Sequence, residues 1–324
     1  MTDKVTASAP GKLILFGEHA VVYGHPCIVT AVDQRLFVTV ERNGKDTFHL
    51  SAPDLGLTAY SKTTNDLGGS GLPKAVRFIE VFYKRFLEKY PQERGIDVVT
   101  KSEFSDSFGF GSSSAATVAF AKALVELYEI DLTDKELFDF CYGAVLEVQG
   151  VGSGFDVAAA IYGGTIYYVT PGKVIETIYE EELPIEVGYT GIKADTPTLV
   201  RQVAELKRKK PRTVRGIFDQ IDKVTKEAKR KLMEENFAEV GKLMVENQNL
   251  LNELGISSVE LDRLNKVSME AGALGAKLSG AGGGDCMIAV VDGKKNEVVK
   301  AMKKNGEWLD VIIGAEGVRV ETDE

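Results

Sequence analysis

Cysteine is scarce: Cys27, Cys141 and Cys286 are the only three, widely spaced and odd in number. That pattern suggests neither a disulfide framework nor a zinc site, and a reduced, cytoplasmic setting is expected. Positive charge is also in deficit, with 39 Lys and Arg against 48 Asp and Glu, a formal net charge of −9. Non-specific nucleic-acid binding needs a basic face and is not expected; a small anion held in one pocket is still allowed. No run reaches the ~20 apolar residues of a membrane span. The start, MTDKVTASAPGK, has no apolar core of signal-peptide type, so no membrane partner is expected. No sustained repeat and no long low-complexity tract occurs.

What is present is ordinary for a globular chain, 44% hydrophobic and 27% charged residues. At 324 residues it exceeds the roughly 250–300 at which single cores stop growing, so two domains are expected. The first 42 residues read as strands, with Leu36, Val38 and Val40 alternating against Phe37, Thr39 and Glu41. Residues 51–72 are polar and turn-rich and read as a surface loop. Pro73 opens a helix whose apolar face is Val76, Ile79, Phe82, Tyr83, Phe86 and Leu87. Ile96–Val99 is a short strand. Thr133 and Glu136 form a capping box for a helix to about Gln149, and TIYYV is a strand. A turn at Pro171-Gly172 and the acidic Glu180–Glu182 mark a domain boundary within residues 172–184. The units expected are therefore 1–178 and 179–324. Helices are expected over about 197–209, 213–233, 235–253 and 257–272, then a strand MIAVV, a helix from Asn296 and a final strand VRVET. Strands and helices without strict alternation indicate an α+β fold.

Four segments stand out chemically. SFGFGSSSAA (Ser107–Ala116) combines Gly109 and Gly111 with Ser112, Ser113 and Ser114 ahead of an alanine-rich helix. Backbone N–H groups at such a helix start make an anion site, and the hydroxyls suit phosphate or Mg²⁺. It is neither a Walker A loop nor a GxGxxG fingerprint, and a serine-capped turn is the competing reading. SGAGGGDC (Ser279–Cys286) places four glycines in five positions, which costs backbone entropy unless a ligand or a positive φ requires them. APGKLILFGEHAVVYG (Ala9–Gly24) sets Lys12 beside an apolar strand and Glu18-His19 after a glycine turn, a cluster suited to a polar substrate; His25 and His49 read as solvated or structural. GSGFDVAAAIYGG (Gly152–Gly164) carries Asp156 between a glycine turn and a wall of alanines. A carboxylate there needs a cation or a task, with Lys12 the natural partner; a helix N-cap is the alternative.

In this order and spacing the four segments resemble the GHMP kinases, named for galactokinase, homoserine kinase, mevalonate kinase and phosphomevalonate kinase. The resemblance covers essentially the whole chain. It implies a two-domain fold, an N-terminal domain like the second domain of ribosomal protein S5 followed by a ferredoxin-like C-terminal domain, with ATP in the cleft. Carried over, Asp156 and Lys12 match the catalytic aspartate and its lysine. Gly109, Phe110, Gly111, Ser112, Ser113 and Ser114, with Gly282 and Gly283, match the ATP site, and Ser113 matches the Mg²⁺ ligand. Glu18, His19, Thr196, Gly280 and Ala281 match substrate-pocket positions.

Two departures stand out. Asp106-Ser107 replaces the family's usual proline and Phe110 the common leucine; and Val145 stands where mevalonate kinases generally carry a Mg²⁺-binding glutamate, eleven residues before Asp156. Glu147 lies about 200° further round the helix and cannot simply substitute. GKLILFGEHAVVYGHP and LGISSVELDRLNKVSMEAGALGAKLSG resemble mevalonate kinases, whereas SSSAATV, QGVGSGFDVAAAIYGG, GYTGIKADTPTLVRQV and GAGGGDC resemble phosphomevalonate kinases. Mevalonate is the expected acceptor because the Glu18-His19 segment lines the substrate pocket. Phosphomevalonate is the alternative, with Lys193, Arg201 and Lys207–Arg212 as cations for its phosphate. A non-catalytic ligand sensor on the same fold is more remote. The resemblance also implies a homodimer.

Overall fold

Two long strands, β1 (Lys4–Phe16) and β2 (Pro26–Arg42), pair antiparallel and form the spine of the first domain. Leu36, Val38 and Val40 point inward as their alternation predicts. The computed structural model describes residues 3–69, 71–92 and 95–322. After β2 come β3 (Thr47–Ala52), β4 (Leu57–Thr63), α1 (Lys74–Lys89), β5 (Ile96–Ser102), α2 (Ser112–Leu127), α3 (Asp134–Gln149), α4 (Phe155–Tyr162), β6 (Thr165–Val169) and β7 (Val174–Tyr179). The sheet runs β12–β1–β2–β5–β3–β4, where β12 is the late strand Arg319–Val320, with β6 beside the first residues of β2 and β7 beside β6. Helix α2 packs on β1 and β2 with α1, α3 and α4 around it. It is alanine-rich and buried on nearly every side, so it sits at the centre of the layer rather than on its surface. The capping box predicted at Thr133 and Glu136 starts α3.

The second domain follows as β8 (Ile185–Tyr189), α5 (Thr196–Lys209), α6 (Pro211–Met233), α7 (Phe237–Glu253), α8 (Val259–Glu270), β9 (Gly275–Ser279), β10 (Cys286–Val290), α9 (Lys295–Asn305) and β11 (Glu307–Leu309). Its antiparallel sheet is ordered β11–β8–β10–β9. Taken in chain order, that places the fourth strand beside the first, then the third and the second, a ferredoxin-like arrangement. Among the described residues no helix is long and apolar enough to cross a membrane.

Three expectations change. Residues 51–72, read as a surface loop, contain β4, an edge strand paired with β3. Tyr60 and Lys62 on β4 bind the buried Glu80 of α1 through its two carboxylate oxygens, at 2.5 and 2.9 Å. The strands β3, β7, β8, β9 and β11 were not anticipated. β8 and β9 are buried at every position, so they lack the alternation that marks a half-buried strand. Last, the tail does not stay with the unit 179–324. β12 (Arg319–Val320) pairs with β1, and Ile313 and Glu316 bridge to Val32 and Gly163.

Arg35 explains why the tail returns. Its guanidinium is 4% exposed and donates to Ser8 Oγ (2.6 Å), Ser8 O (3.0 Å), Glu316 O (2.9 Å) and Gly317 O (2.7 Å). Burial, with Arg319 nearby, lowers its pKa to about 10, so it stays charged at neutral pH. We expect Arg35→Ala to cost about 3 kcal/mol of stability, because it strips buried acceptors of their donor. Urea denaturation reads this; an unchanged midpoint would mean the tail is held by β12 alone.

Candidate active site

The loop leading into α2 is where the capped-turn and anion-cradle readings part. Gly111, at φ 78°, is the N-cap of α2, and no side chain caps the helix. Ser112, Ser113 and Ser114 lie within its first turn, so a serine cap is excluded and the helix start presents backbone N–H groups toward the loop. Phe110 is buried against Phe104 and Phe108 and offers the loop only its backbone. Its carbonyl accepts the Lys12 N–H at 2.9 Å. Ser114 is also buried, and its hydroxyl donates to Asp156 Oδ2 at 2.7 Å. The approach without proline is held by the other domain: Lys193 Nζ pairs with Asp106 at 2.7 Å, and Phe108 packs edge-on against Tyr189.

Lys12 and Asp156 meet at Gly111. A Cβ placed on that glycine would lie 3.3 Å from Lys12 Cε and 3.6 Å from Asp156 Cβ. Lys12 Nζ donates to the Gly109 carbonyl at 2.8 Å. Among the described residues no Lys12–Asp156 ion pair forms within 4 Å, so their attraction acts across space. Burial lowers the Lys12 pKa, and the charges of Asp156, Asp285 and Glu18 oppose that shift. Asp156 occupies the first turn of α4, where the helix end favours negative charge, and its Oδ1 accepts the Val157 N–H at 3.2 Å.

In the second glycine loop the glycines divide by role. A Cβ on Gly282 would come within 2.0 Å of Ile256 O, and one on Gly284 within 2.5 Å of Ile192 O. These positions are glycine because backbone packs on backbone; the Gly283 N–H also donates to Ile256 O at 2.8 Å. Gly280, at φ 113°, faces open space. Beside it the Ala281 carbonyl accepts from His19 Nε2 at 2.9 Å, which places the proton on that nitrogen. Burial lowers the His19 pKa and keeps the ring neutral at pH 7.

Glu18 is placed differently from its neighbour. Its carboxylate is buried, with Oε1 bound to Lys277 Nζ and Oε2 accepting from Asn247 Nδ2 at 3.4 Å. Burial raises the Glu18 pKa and lowers that of Lys277, and their mutual attraction opposes both shifts. Thr196 is exposed on the first turn of α5, whose Leu199 touches Gly283. Lys277, Asn247, Gln248 and Asp285 were missed by the motifs. Gln248 Oε1 accepts the Leu278 N–H at 2.8 Å and so holds the strand that feeds the glycine loop. Lys277 left a readable signal, a single cation inside the otherwise small and apolar GAKLSG, the same argument that singled out Asp156.

Among the described residues no group of three or more His, Cys, Asp or Glu could hold a metal by itself. Val145 is buried in the core, and Glu147 is exposed and paired with Arg85 at 2.8 Å. What remains is the carboxylate of Asp156, on which the Ser114 hydroxyl sits, and the hydroxyl of the preceding Ser113 in the same helix turn, hard oxygen donors of the kind that suit Mg²⁺ with phosphate and water. A surface hollow of about 580 Å³ between α1 and α3 is lined by Arg85, Glu88, Lys89, Glu136, Asp139 and Phe140 and shares no residue with this site.

A helix start that presents backbone N–H groups, a lysine and an aspartate against one glycine, and a second glycine loop from another domain are what a phosphotransferase cleft requires. Residues 75–164 match the model of the GHMP kinases N-terminal domain and residues 228–307 that of the GHMP kinases C terminus. The chain belongs to the GHMP kinases, ATP-dependent small-molecule kinases. The mevalonate kinase of Pyrococcus abyssi is 35% identical, covering 99% of each chain. That of Thermococcus gammatolerans is 37% identical, covering 98% of each. The crystal structure of L. major mevalonate kinase in complex with R-mevalonate is similar at a TM-score of 0.78 and 26% identity, over 98% of this chain and 97% of that one.

We expect Lys277→Met to cost about 3–5 kcal/mol at neutral pH, because Glu18 is left buried and uncompensated. Without the ammonium, the Glu18 pKa in the folded chain rises further above its unfolded value. The deficit should therefore be small below pH ~4 and grow as pH rises through the folded value. Denaturation midpoints across pH check this, and a deficit independent of pH would rule out an ionised Glu18.

Proposed function

We propose that the protein transfers the γ-phosphoryl group of ATP to the C5 hydroxyl of (R)-mevalonate. The observation that carries the chemistry is the convergence of Lys12 and Asp156 on Gly111 at the uncapped start of α2. Asp156, oriented by the Ser114 hydroxyl, accepts the proton as the acceptor oxygen forms its bond to phosphorus and ADP departs. Lys12 keeps Asp156 in its charged form and neutralises charge developing on the transferring group. Gly109 to Ser113 hold the nucleotide phosphates. Ser113 and Asp156 are the residues that would hold Mg²⁺, which would supply positive charge against the phosphates. His19, Gly280, Ala281 and Thr196 form the acceptor side; Glu18 contributes by fixing the turn after β1 that carries His19.

The full-length similarity to mevalonate kinases supports mevalonate as acceptor. The commitments of three of the nearby cations support it too. A phosphomevalonate kinase needs a cation for the phosphate already present. Lys193 is bound to Asp106, Lys207 lies 3.7 Å from the centre of the Tyr23 ring, and Lys209 is paired with Glu205. The three cysteines are free and buried, in keeping with a reducing, cytoplasmic setting. The homodimer implied by the resemblance belongs to the same proposal, and light scattering would read it.

A coupled assay with mevalonate, phosphomevalonate and no acceptor should give ADP with mevalonate. Turnover with phosphomevalonate alone would replace the acceptor, and no turnover would favour a sensor. Asp156→Asn should lower kcat about a thousandfold while nucleotide still binds. Near-normal turnover would remove Asp156 from the mechanism.

A further inference from the structure

Asp285 is unusual in its backbone, its burial and its neighbour. It follows three glycines yet is not one, although its φ is 56°, a region that suits glycine and costs most other residues roughly 1 kcal/mol or more. Its backbone is fixed by an N–H bond to Ile192 O at 2.7 Å and by a carbonyl that accepts from Thr190 N–H and Oγ1, both at 3.0 Å. The side chain is 7% exposed, and Oδ1 accepts the Ala194 N–H at 2.8 Å. Oδ2 is pressed against the phosphate loop, where a Cβ on Gly109 would lie 2.6 Å from it. The next residue secures the same stretch, since Cys286 Sγ donates to Phe108 O at 3.2 Å. The carboxylate therefore cannot swing into solvent.

The charged groups facing it are few. Lys12, the nearer influence, has its Nζ on the Gly109 carbonyl, and Lys193 is held by Asp106. Neither lies within 4 Å of Asp285 among the described ion pairs. Burial pushes its pKa up, while the Ala194 N–H and these two lysines hold it back. A negative charge thus stands, without a contact cation, behind the loop that the preceding section assigns to phosphate.

We propose that Asp285 is a specificity residue that makes the phosphate loop prefer metal-complexed over metal-free nucleotide. The proposal rests on the nucleotide reading of that loop. In a poorly screened cleft the carboxylate repels phosphate in proportion to the ligand's charge. Bare triphosphate presents its full charge, and the magnesium complex roughly half of it. The same field attracts the cation. A kinase whose chemistry requires the metal would in this way bind less of the unreactive nucleotide.

Calorimetric titration of the full chain, at fixed ionic strength and about pH 8, where carboxylates are ionised, tests this with MgATP and with ATP in EDTA. Asp285→Asn keeps an acceptor for Ala194 and tolerates the backbone; Asp285→Gly removes the side chain and relieves the strain. Both should tighten metal-free ATP about tenfold and MgATP by only about threefold. An unchanged ratio in either variant, while the native chain binds MgATP, sinks the inference and leaves the kinase reading standing. A variant that fails to fold makes Asp285 a structural strut and also overturns it. A native chain that binds no MgATP overturns both.

Discussion

A carboxylate and an ammonium that are each almost wholly withdrawn from water can persist only together. Glu18 stands two residues beyond β1 in one domain and Lys277 lies within a strand of the other. Each pays a large desolvation cost, and only docking of the two domains supplies the partner that offsets it. Beside this pair, Ser279 Oγ donates to Ile14 O at 2.9 Å and accepts the Ile14 N–H at 3.1 Å. The domains are thus joined along the edge of β1 by polar groups that have no alternative partner in the core. The contact of His19 with Ala281 follows from that joint.

The same strand sets the chemistry. Lys12 stands two residues before Ile14, hence on the same side of β1. Its backbone N–H and its ammonium take the carbonyls of Phe110 and Gly109. One strand therefore aligns the phosphate loop and the second domain, and the distance between them becomes a property of β1 rather than of a flexible linker. Burial of Lys12 makes its charge expensive, and the carboxylates of Asp156, Asp285 and Glu18 sustain it. Those three are distinguished by their partners: a hydroxyl for Asp156, a backbone N–H for Asp285, an ion pair for Glu18. Three identical groups acquire three tasks because their surroundings differ.

Much of this was legible in the amino-acid order. The capping box of α3, the amphipathic face of α1 and the run of helices from residue 196 to 270 are local patterns, and local spacing suffices to read them. Lys12, Asp156 and the two glycine loops stood out because charge or glycine sat where packing alone would not place it. The short, fully buried strands β8 and β9 carried no alternation, β11 has only three residues, and β4 looked like a loop because its outer face is polar.

The order of residues by itself determined most of the elements and the positions at which the backbone must come close to something, and it singled out the candidate reacting groups. Each of these depends on neighbours within about one helical turn or one strand. Only the tertiary structure decided partners. Glu18 and Lys277 are 259 residues apart, Ser114 and Asp156 42, Asp106 and Lys193 87. It is those pairings that make Glu18 an interdomain bolt, Ser114 the orienting hydroxyl of Asp156, and most glycines of SGAGGGDC a packing surface. No local pattern encodes which distant group will neutralise a buried charge, because that is settled by the docking of two domains.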